Sequence, residues 1–140
     1  SKQENAIRQL LVMQSHRDHL RLLAKPYVWS VRQEMMKGNT DQLHVYANEM
    51  IKEKNFRNNA ITNEKGIVIS STNKRFEGQD FTTIGKSSYL SSDSTIVENM
   101  NDSVLVMSSP IMGFNNRLGT VLIVYAVPAP VFNASNQPQP

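Results

Sequence analysis

The chain has 140 residues, a length that fits one domain with a single hydrophobic core. Its formal net charge is +3, from 15 basic and 12 acidic side chains spread along polar helix positions, so no nucleic-acid partner is expected. The chain contains no cysteine, which excludes disulfides, thiol nucleophiles, cysteine-ligated zinc and iron–sulfur clusters.

Residues 1–36 are predicted to form a long N-terminal helix. Apolar residues recur at alternating steps of four and three from Ala6 to Val31, which is the spacing of a heptad seam. A helix of this length extends past the core of so small a domain. Its first part, residues 6–20, therefore fits a helix on a sheet and a stalk paired with a second copy equally well. From Leu23 onward, packing on a sheet is favoured.

Five side chains of this helix carry further expectations. Pro26 should kink or divide the helix, because its ring clashes with the preceding turn and it lacks an N–H group. Tyr27 and Trp29 are expected in the core. His16 and His19 lie three residues apart, but no second cluster completes a metal site. They are interpreted as solvated polar residues, and no metal is expected.

A glycine C-cap at residues 37–40 breaks the helical pattern, and a second helix is predicted over residues 41–54. The apolar period then changes from 3.6 to 2, which predicts a sheet within residues 56–127. Its strands are expected, in chain order, at residues 56–62, 67–71, 95–100, 103–112 and 118–127. The predicted class is α+β, with a five-stranded antiparallel sheet and both helices on one face.

The sequence also predicts the connections between the strands of the sheet. Residues 63–66 predict a tight turn with Gly66 in the left-handed conformation, and residues 115–117 predict a second turn. Residues 72–94 are rich in Ser, Thr, Gly and Asp and predict a long loop with one helical turn, and long loops are commonly functional. The last strand is apolar throughout, so it is expected at the centre of the sheet.

No segment reaches the ~20 apolar residues of a membrane-spanning helix, and no signal peptide opens the sequence. The most apolar run, residues 121–132, is too short and contains Pro128 and Pro130. A single domain is predicted over residues 1–132, followed by a Pro- and Gln-rich, linker-like tail at residues 133–140. Any membrane anchors are expected outside this sequence.

Three motifs occur in an informative order. Residues 61–72, ITNEKGIVISST, carry a glycine turn between hydrophobic positions, and residues 76–81, FEGQDF, follow with a glycine three positions before phenylalanine. Residues 109–111 and 118–123 supply "Pro-Ile" and "Gly-x-Val" in a closing hairpin. Together these motifs, within residues 56–127, resemble the PAS-like extracytoplasmic sensor domains of the single Cache type. They are distantly similar to the citrate- and dicarboxylate-sensing histidine kinase ectodomains.

The resemblance implies an extracellular or periplasmic pocket for a small molecule, formed by one face of the sheet and the long loop. It implies membrane spans before the first helix and after the last strand. The output would be a histidine kinase, a chemoreceptor or a cyclic-dinucleotide enzyme. A catalytic site and a cofactor are not expected in this chain, because no nucleophile with a positioned base is recognisable.

The predicted ligand differs from a dicarboxylate. Family members that bind dicarboxylates use basic side chains on the second and fourth strands, where this sequence aligns Val68, Ser71 and Val106. A buried carboxylate without cationic partners is costly, so a neutral or weakly polar small molecule is expected. Arg75 is interpreted as an exposed loop charge or, alternatively, as a partner for a ligand oxygen. The candidate ligand-binding residues are Val68, Ser71, Arg75, Phe81, Tyr89, Val106 and Ser108.

Two other functions stay open on the sequence. One is a non-sensory structural or dimerisation ectodomain with a vestigial pocket. The other is a cytoplasmic dimerisation module of the roadblock or profilin-like kind, which shares an antiparallel sheet with helices. In the receptor interpretation, a weak homodimer through the first helix is predicted along Leu10, Met13, Arg17 and Leu20.

Overall fold

The computed structural model describes residues 1–128 of the chain. Two helices precede a five-stranded antiparallel sheet. The helices are α1 (Lys2–Lys37) and α2 (Thr40–Met50), and the strands are β1 (Phe56–Thr62), β2 (Val68–Ser71), β3 (Ile96–Asn101), β4 (Val104–Met112) and β5 (Arg117–Ala126). The predicted α+β class, with both helices on one face of the sheet, is confirmed. The tail predicted at residues 133–140 lies outside the described residues.

Helix α1 runs for 36 residues without a break. It begins with a capping box, in which the Ser1 hydroxyl accepts a hydrogen bond from the Glu4 N–H, and it ends at Gly38 with φ 71°. The helix is not divided at Pro26, so this part of the expectation is wrong, whereas a kink there stays a prediction. Pro26 is exposed, and its carbonyl accepts a hydrogen bond from the Ser30 hydroxyl, so the missing N–H group lies on the solvent side of the helix.

Only the second part of α1 packs against the sheet. The buried stripe begins one turn earlier than expected and consists of Leu20, Ala24, Tyr27, Val31 and Glu34. Residues 1–12 are exposed throughout, and they include Ile7, Leu10, Leu11 and Val12. The heptad seam is therefore a core stripe in its second half, whereas its first half projects beyond the sheet.

The strands lie in the order β2-β1-β5-β4-β3. The central position of β5, predicted from its apolar sequence, is confirmed. β1 and β5 approach closely at Gly119, where a Cβ atom would lie 1.9 Å from the carbonyl oxygen of Thr62. The turn between β1 and β2 has Gly66 at φ 79°, which confirms the predicted left-handed conformation.

Three side chains depart from their sequence interpretation. Trp29 is 61% exposed and does not join the core, because it lies outside the buried stripe of α1. His16 is partly buried and not solvated, because α1 crosses the end of β5 and brings its Nδ1 to 3.0 Å from the Tyr125 hydroxyl. Arg117 begins β5 and is not part of the turn before it. Among residues 1–128, no helix combines the length and the hydropathy that a membrane crossing needs.

Candidate functional site

The two faces of the sheet are covered differently. The helices cover one face, the helix side, and residues 72–95 cover the other, the loop side. Side chains alternate along each strand, so Ile123 of β5 points to the helix side and Leu122 to the loop side. Part of the loop side is filled by a buried apolar cluster of Ala60, Val68, Phe81, Tyr89, Val106 and Leu122.

Beside this cluster, the loop side opens into a cavity of about 300 Å³. Its apolar lining residues are Ala60, Phe76, Ile84, Leu122 and Val124. Its polar lining residues are Asn58, Asn59, Ser71, Asn73 and Thr83. No side chain that carries a charge lines the cavity within the described part of the chain. The site therefore combines apolar side chains with amide and hydroxyl groups.

Two asparagine side chains that line the cavity, Asn58 and Asn73, have amide groups that can form further hydrogen bonds. Asn58 accepts a hydrogen bond from the Thr72 hydroxyl at 3.4 Å, and Asn73 accepts one from the Arg75 N–H at 3.2 Å. Within residues 1–128, no hydrogen bond uses the amide nitrogen of either side chain. The Ser71 hydroxyl, in contrast, donates to the Asn59 carbonyl at 3.3 Å. The two asparagines are therefore the donors that a bound molecule could use.

The lid over the cavity, residues 73–84, is attached along the outer edge of β2. The Gly78 N–H donates to the Val68 carbonyl at 2.8 Å, and the Val68 N–H donates to the Gln79 carbonyl at 2.9 Å. These bonds occupy an edge strand that would otherwise expose its backbone groups. The lid thus has a fixed outer margin on β2, and its residues Phe76, Thr83 and Ile84 reach the cavity.

Polar side chains fix the two turns of the lid. The Asp80 carboxylate accepts hydrogen bonds from the Thr82 N–H at 2.9 Å and from the Thr82 hydroxyl at 2.7 Å. The backbone bond and then the hydroxyl bond hold the pKa of Asp80 below its usual value. These caps give short 3-10 turns at Lys74–Phe76 and Phe81–Thr83, and a third follows at Ser87–Leu90, where the sequence predicted a single turn.

A polar group joins the start of the lid to helix α2. Nδ1 of His44 lies 2.9 Å from the Ser70 hydroxyl and 3.4 Å from the Glu77 carboxylate, and Lys74 lies 3.0 Å from the same carboxylate. Partial burial opposes ionisation of Glu77, but hydrogen bonds from Lys74 and the Ser71 N–H, together with the nearby Lys74 and His44 side chains, lower its pKa. Ser70 and Glu77 both contact Nδ1 of His44, whereas a proton relay would use the two ring nitrogens for different partners. The group therefore connects the lid to α2 and is not a proton relay.

The second half of the loop is fastened to β3 and β5. The Tyr89 hydroxyl donates to Glu98 at 2.6 Å, and Lys86 lies 2.9 Å from the same oxygen. Burial, followed by the Glu98 carboxylate, raises the pKa of Tyr89 to about 12. Arg117 donates to the carbonyls of Ser92 and Tyr89 at 2.7 and 2.9 Å. This half of the loop is therefore pinned to the sheet, and the cavity lies under the first half.

The residues predicted to bind a ligand fall into separate surroundings. Ser71 lines the cavity, whereas Val68, Phe81, Tyr89 and Val106 belong to the buried apolar cluster beside it.

The remaining two residues predicted to bind a ligand do not line the cavity. Ser108 is 1% exposed, and its hydroxyl has no hydrogen-bond partner among the described residues. Arg75 is exposed on the outer surface of the lid. A ligand contact at each of the seven positions stays a prediction.

The sequence interpretation missed most of the cavity wall. Asn58 and Ala60 on β1 and Leu122 and Val124 on β5 share the loop side because the two strands pair in register, with Asn58 opposite Val124 and Ala60 opposite Leu122. Strand alternation together with the predicted central position of β5 would have found these four residues. The lid residues that reach the cavity depend on loop conformation, which alternation does not encode.

Comparison with solved structures identifies the fold. The chain is similar to the crystal structure of the E. coli DcuS sensor domain, with a TM-score of 0.57 and 19% sequence identity over 79% of this chain and 90% of that chain. No family model and no curated protein matches the sequence. The structural similarity confirms the PAS-like architecture of a long first helix, a second helix and a five-stranded sheet. Within residues 1–128, no cluster of His, Asp and Glu has the arrangement of a metal site.

Proposed function

We propose that this chain is the extracytoplasmic, small-molecule-sensing domain of a bacterial transmembrane signal-transduction receptor. One observation carries the proposal, namely the cavity of about 300 Å³ under a lid on the loop side, in a fold similar to that of a sensor domain. Ligand pockets range from ~300 to ~1,000 Å³, so the cavity has the size of a site for a small metabolite. The proposed activity is binding and not catalysis, and it requires no cofactor.

The composition of the cavity wall favours a neutral ligand. Asn58 and Asn73 offer amide donors to a carbonyl or hydroxyl group, and the apolar lining residues, which include Leu122 and Val124, suit an apolar portion. A carboxylate would lose its hydration without meeting a cation, which is costly in a partly enclosed site. We therefore propose a neutral, weakly polar small molecule and not a dicarboxylate as the ligand.

The placement of the two ends of the fold supports the receptor context. The His16–Tyr125 contact and the hydrogen bond between Arg17 and Asn99 hold α1 at the end of the sheet where β5 finishes. The first fourteen residues of α1 precede these contacts and, at 1.5 Å per residue, add about 20 Å of helix. The helix that enters the domain and the strand that leaves it thus share one end, as two flanking membrane spans would require.

The projecting part of α1 also supports weak self-association. Ile7, Leu10 and Leu11 are 56%, 71% and 65% exposed and lie on one side of the helix at spacings of three and four. Leu20 is fully buried against the sheet and Arg17 is bonded to Asn99, so neither belongs to the free face that the sequence suggested. We propose that two copies pair through the projecting segment.

A thermal-shift screen of neutral amides, sugars, amino acids, amines and organic acids tests the sensing function. A ligand that binds only the folded chain stabilises it by about 2.7 kcal/mol at one hundred times its dissociation constant. We expect the largest shift from a neutral compound. A largest shift from citrate or another dicarboxylate would contradict the proposed ligand class, and no shift from any compound would favour a vestigial pocket in a structural domain.

A matched pair of variants locates the binding site. Val124→Trp fills the cavity from β5, so the shift given by the active compound should disappear while the unliganded chain stays folded. Val45→Trp introduces the same side chain on the exposed surface of α2 and should leave the shift unchanged. A shift retained in the first variant would place the ligand elsewhere and refute the cavity as the sensing site.

A further inference from the structure

The guanidinium group of Arg32 lies over two aromatic rings, those of Trp29 and Phe114. Its Cζ lies 5.4 Å from the centroid of the Trp29 ring and 5.7 Å from that of Phe114. Its Nε donates to the Met112 carbonyl at 2.6 Å. Within residues 1–128, no hydrogen bond uses the two terminal nitrogens of Arg32. The side chain is thus ordered by stacking and by one hydrogen bond, while the part that pairs with carboxylates is unoccupied.

The residues around this arginine have the composition of a protein-binding surface. Trp29 is 61% exposed, Phe114 is 83% exposed and Met112 is 42% exposed. Tryptophan, arginine, phenylalanine and methionine are enriched in protein interfaces, and tryptophan and arginine dominate their binding energy. An isolated exposed apolar side chain needs no explanation, but here Trp29, Met112 and Phe114 each contact Arg32.

A groove of about 170 Å³ continues this surface between α1 and β4. Arg21, Lys25 and Arg32 line it, whereas no carboxylate does. None of these three cations forms an ion pair within the described residues. The floor of the groove is apolar and includes Val28 and Ile111. The surface therefore combines uncompensated positive charge with an apolar floor. A partner that is complementary to it has acidic and apolar side chains.

Two other occupants fit this surface less well. In a symmetric pair of copies, the two surfaces with Arg21, Lys25 and Arg32 would be brought together, and repulsion between their positive charges would oppose association. A membrane surface is disfavoured by position, since Arg32 lies fifteen residues, or about 22 Å of helix, beyond Arg17 and the end of the sheet where β5 finishes.

We propose that the Arg32 surface, formed by Trp29, Arg32, Met112 and Phe114 with the adjoining groove, binds an acidic segment of a second protein. An Asp or Glu side chain of that segment pairs with the terminal nitrogens of Arg32, and a neighbouring apolar side chain enters the groove. This surface is on the helix side and the cavity is on the loop side, so the protein partner and the small molecule bind at separate sites.

Titration of the isotope-labelled chain with a synthetic peptide, followed by NMR, tests the proposal. The probe is the acetylated, amidated peptide EFDELFED, and its charge-reversed counterpart KFKKLFKK is the control. We expect the acidic peptide to shift the amide signals of residues around Trp29, Arg32 and Phe114, and the basic peptide to shift none of them. Absence of binding at millimolar acidic peptide, or shifts confined to other surfaces, would overturn the proposal.

Charge-reversal variants distinguish binding at this surface from non-specific electrostatic attraction. Arg32→Glu should weaken binding of the acidic peptide by about tenfold or more. Arg57→Glu changes the net charge equally at an exposed position on β1 and should alter the affinity by less than about twofold after salt screening. Equal losses in the two variants would refute the assignment. Self-association or binding to anionic vesicles that Arg32→Glu abolishes would identify a different occupant and also overturn it.

Discussion

The imidazole of His16 and the hydroxyl of Tyr125 meet at 3.0 Å, although the two residues are 109 positions apart in the chain. The contact joins the helix that enters the domain to the strand that ends it. Asn55, at φ 75°, donates to the same hydroxyl at 3.3 Å. Burial, and secondarily the neighbouring His19, lower the pKa of His16 from its usual 6.5.

The lowered pKa of His16 predicts that the free energy of unfolding decreases in acid. Below about pH 6.5 the unfolded chain binds a proton at His16 that the folded chain does not, so stability is lost as the pH falls, until the folded His16 is also protonated. Urea unfolding between about pH 8 and pH 5 measures this loss.

The variant His16→Gln isolates the effect, because glutamine can bond to Tyr125 but does not titrate. The difference in free energy of unfolding between the wild type and this variant should change with pH in the same window. The variant His19→Gln, at an exposed position, should retain most of the pH dependence of the free energy of unfolding. A pH-independent difference would show that His16 does not carry the effect.

Gly66→Val should destabilise the hairpin of β1 and β2. Gly66 has φ 79°, and a Cβ atom there would lie 3.1 Å from Cδ1 of Leu90, so both backbone strain and a close contact oppose a side chain. We expect a loss of about 1–3 kcal/mol, measured by urea unfolding. Gly78→Val is the matched control, since Gly78 has φ 84° but no atom within 4 Å of the Cβ position. An unchanged free energy of unfolding in Gly66→Val would contradict the turn geometry.

Self-association should depend on the projecting part of α1. Leu10→Glu places a charge on the apolar face of Ile7, Leu10 and Leu11 and should abolish dimer formation in sedimentation experiments over a wide range of protein concentrations. Leu22→Glu introduces the same charge at a position that is 69% exposed but lies beside the sheet, and it should leave association unchanged. A wild-type chain that is strictly monomeric at millimolar concentration would exclude the dimer.

The features that could be predicted from sequence are those that local periodicity determines. The alternation of β5, the stripe from Leu20 to Val31 and the glycine at residue 66 each reflect the geometry of one element. The environment of His16 could not be predicted in this way, because it depends on where α1 crosses the sheet. Its partner Tyr125 is 109 positions away in the chain. The exposure of Trp29, in contrast, follows from its position outside the buried stripe of α1, so periodicity could have predicted it.

The same distinction between predictable and unpredictable features applies to the candidate site. The family resemblance groups Val68, Ser71 and Val106 at the predicted pocket, and in the structure Val68 and Val106 belong to the apolar cluster of the loop side while Ser71 lines the cavity. Simple alternation would put Val68 and Ser71 on opposite faces, because they are three residues apart, but the pairing of β1 with β2 shifts register between Ile61 and Thr62. Which part of that face stays open depends on how Phe81 and Tyr89 fill the remainder, with their ring centroids 6.4 Å apart. That packing follows from the loop conformation and is invisible to periodicity, so the cavity lies toward β1 and not around Val106.

Tryptophan substitutions at two paired positions test this division of the loop side. Val106 on β4 lies directly opposite Val124 on β5, but Val106 is 4% exposed within the apolar cluster, whereas Val124 lines the cavity. Val106→Trp should overpack the cluster and lower the free energy of unfolding by about 1–3 kcal/mol. Val124→Trp should change it by less than about 0.5 kcal/mol, because the new ring occupies open space. Urea unfolding of both variants measures the difference, and the reverse order of stability would mean that the cavity lies beside Val106 and that the face near Val124 is closed.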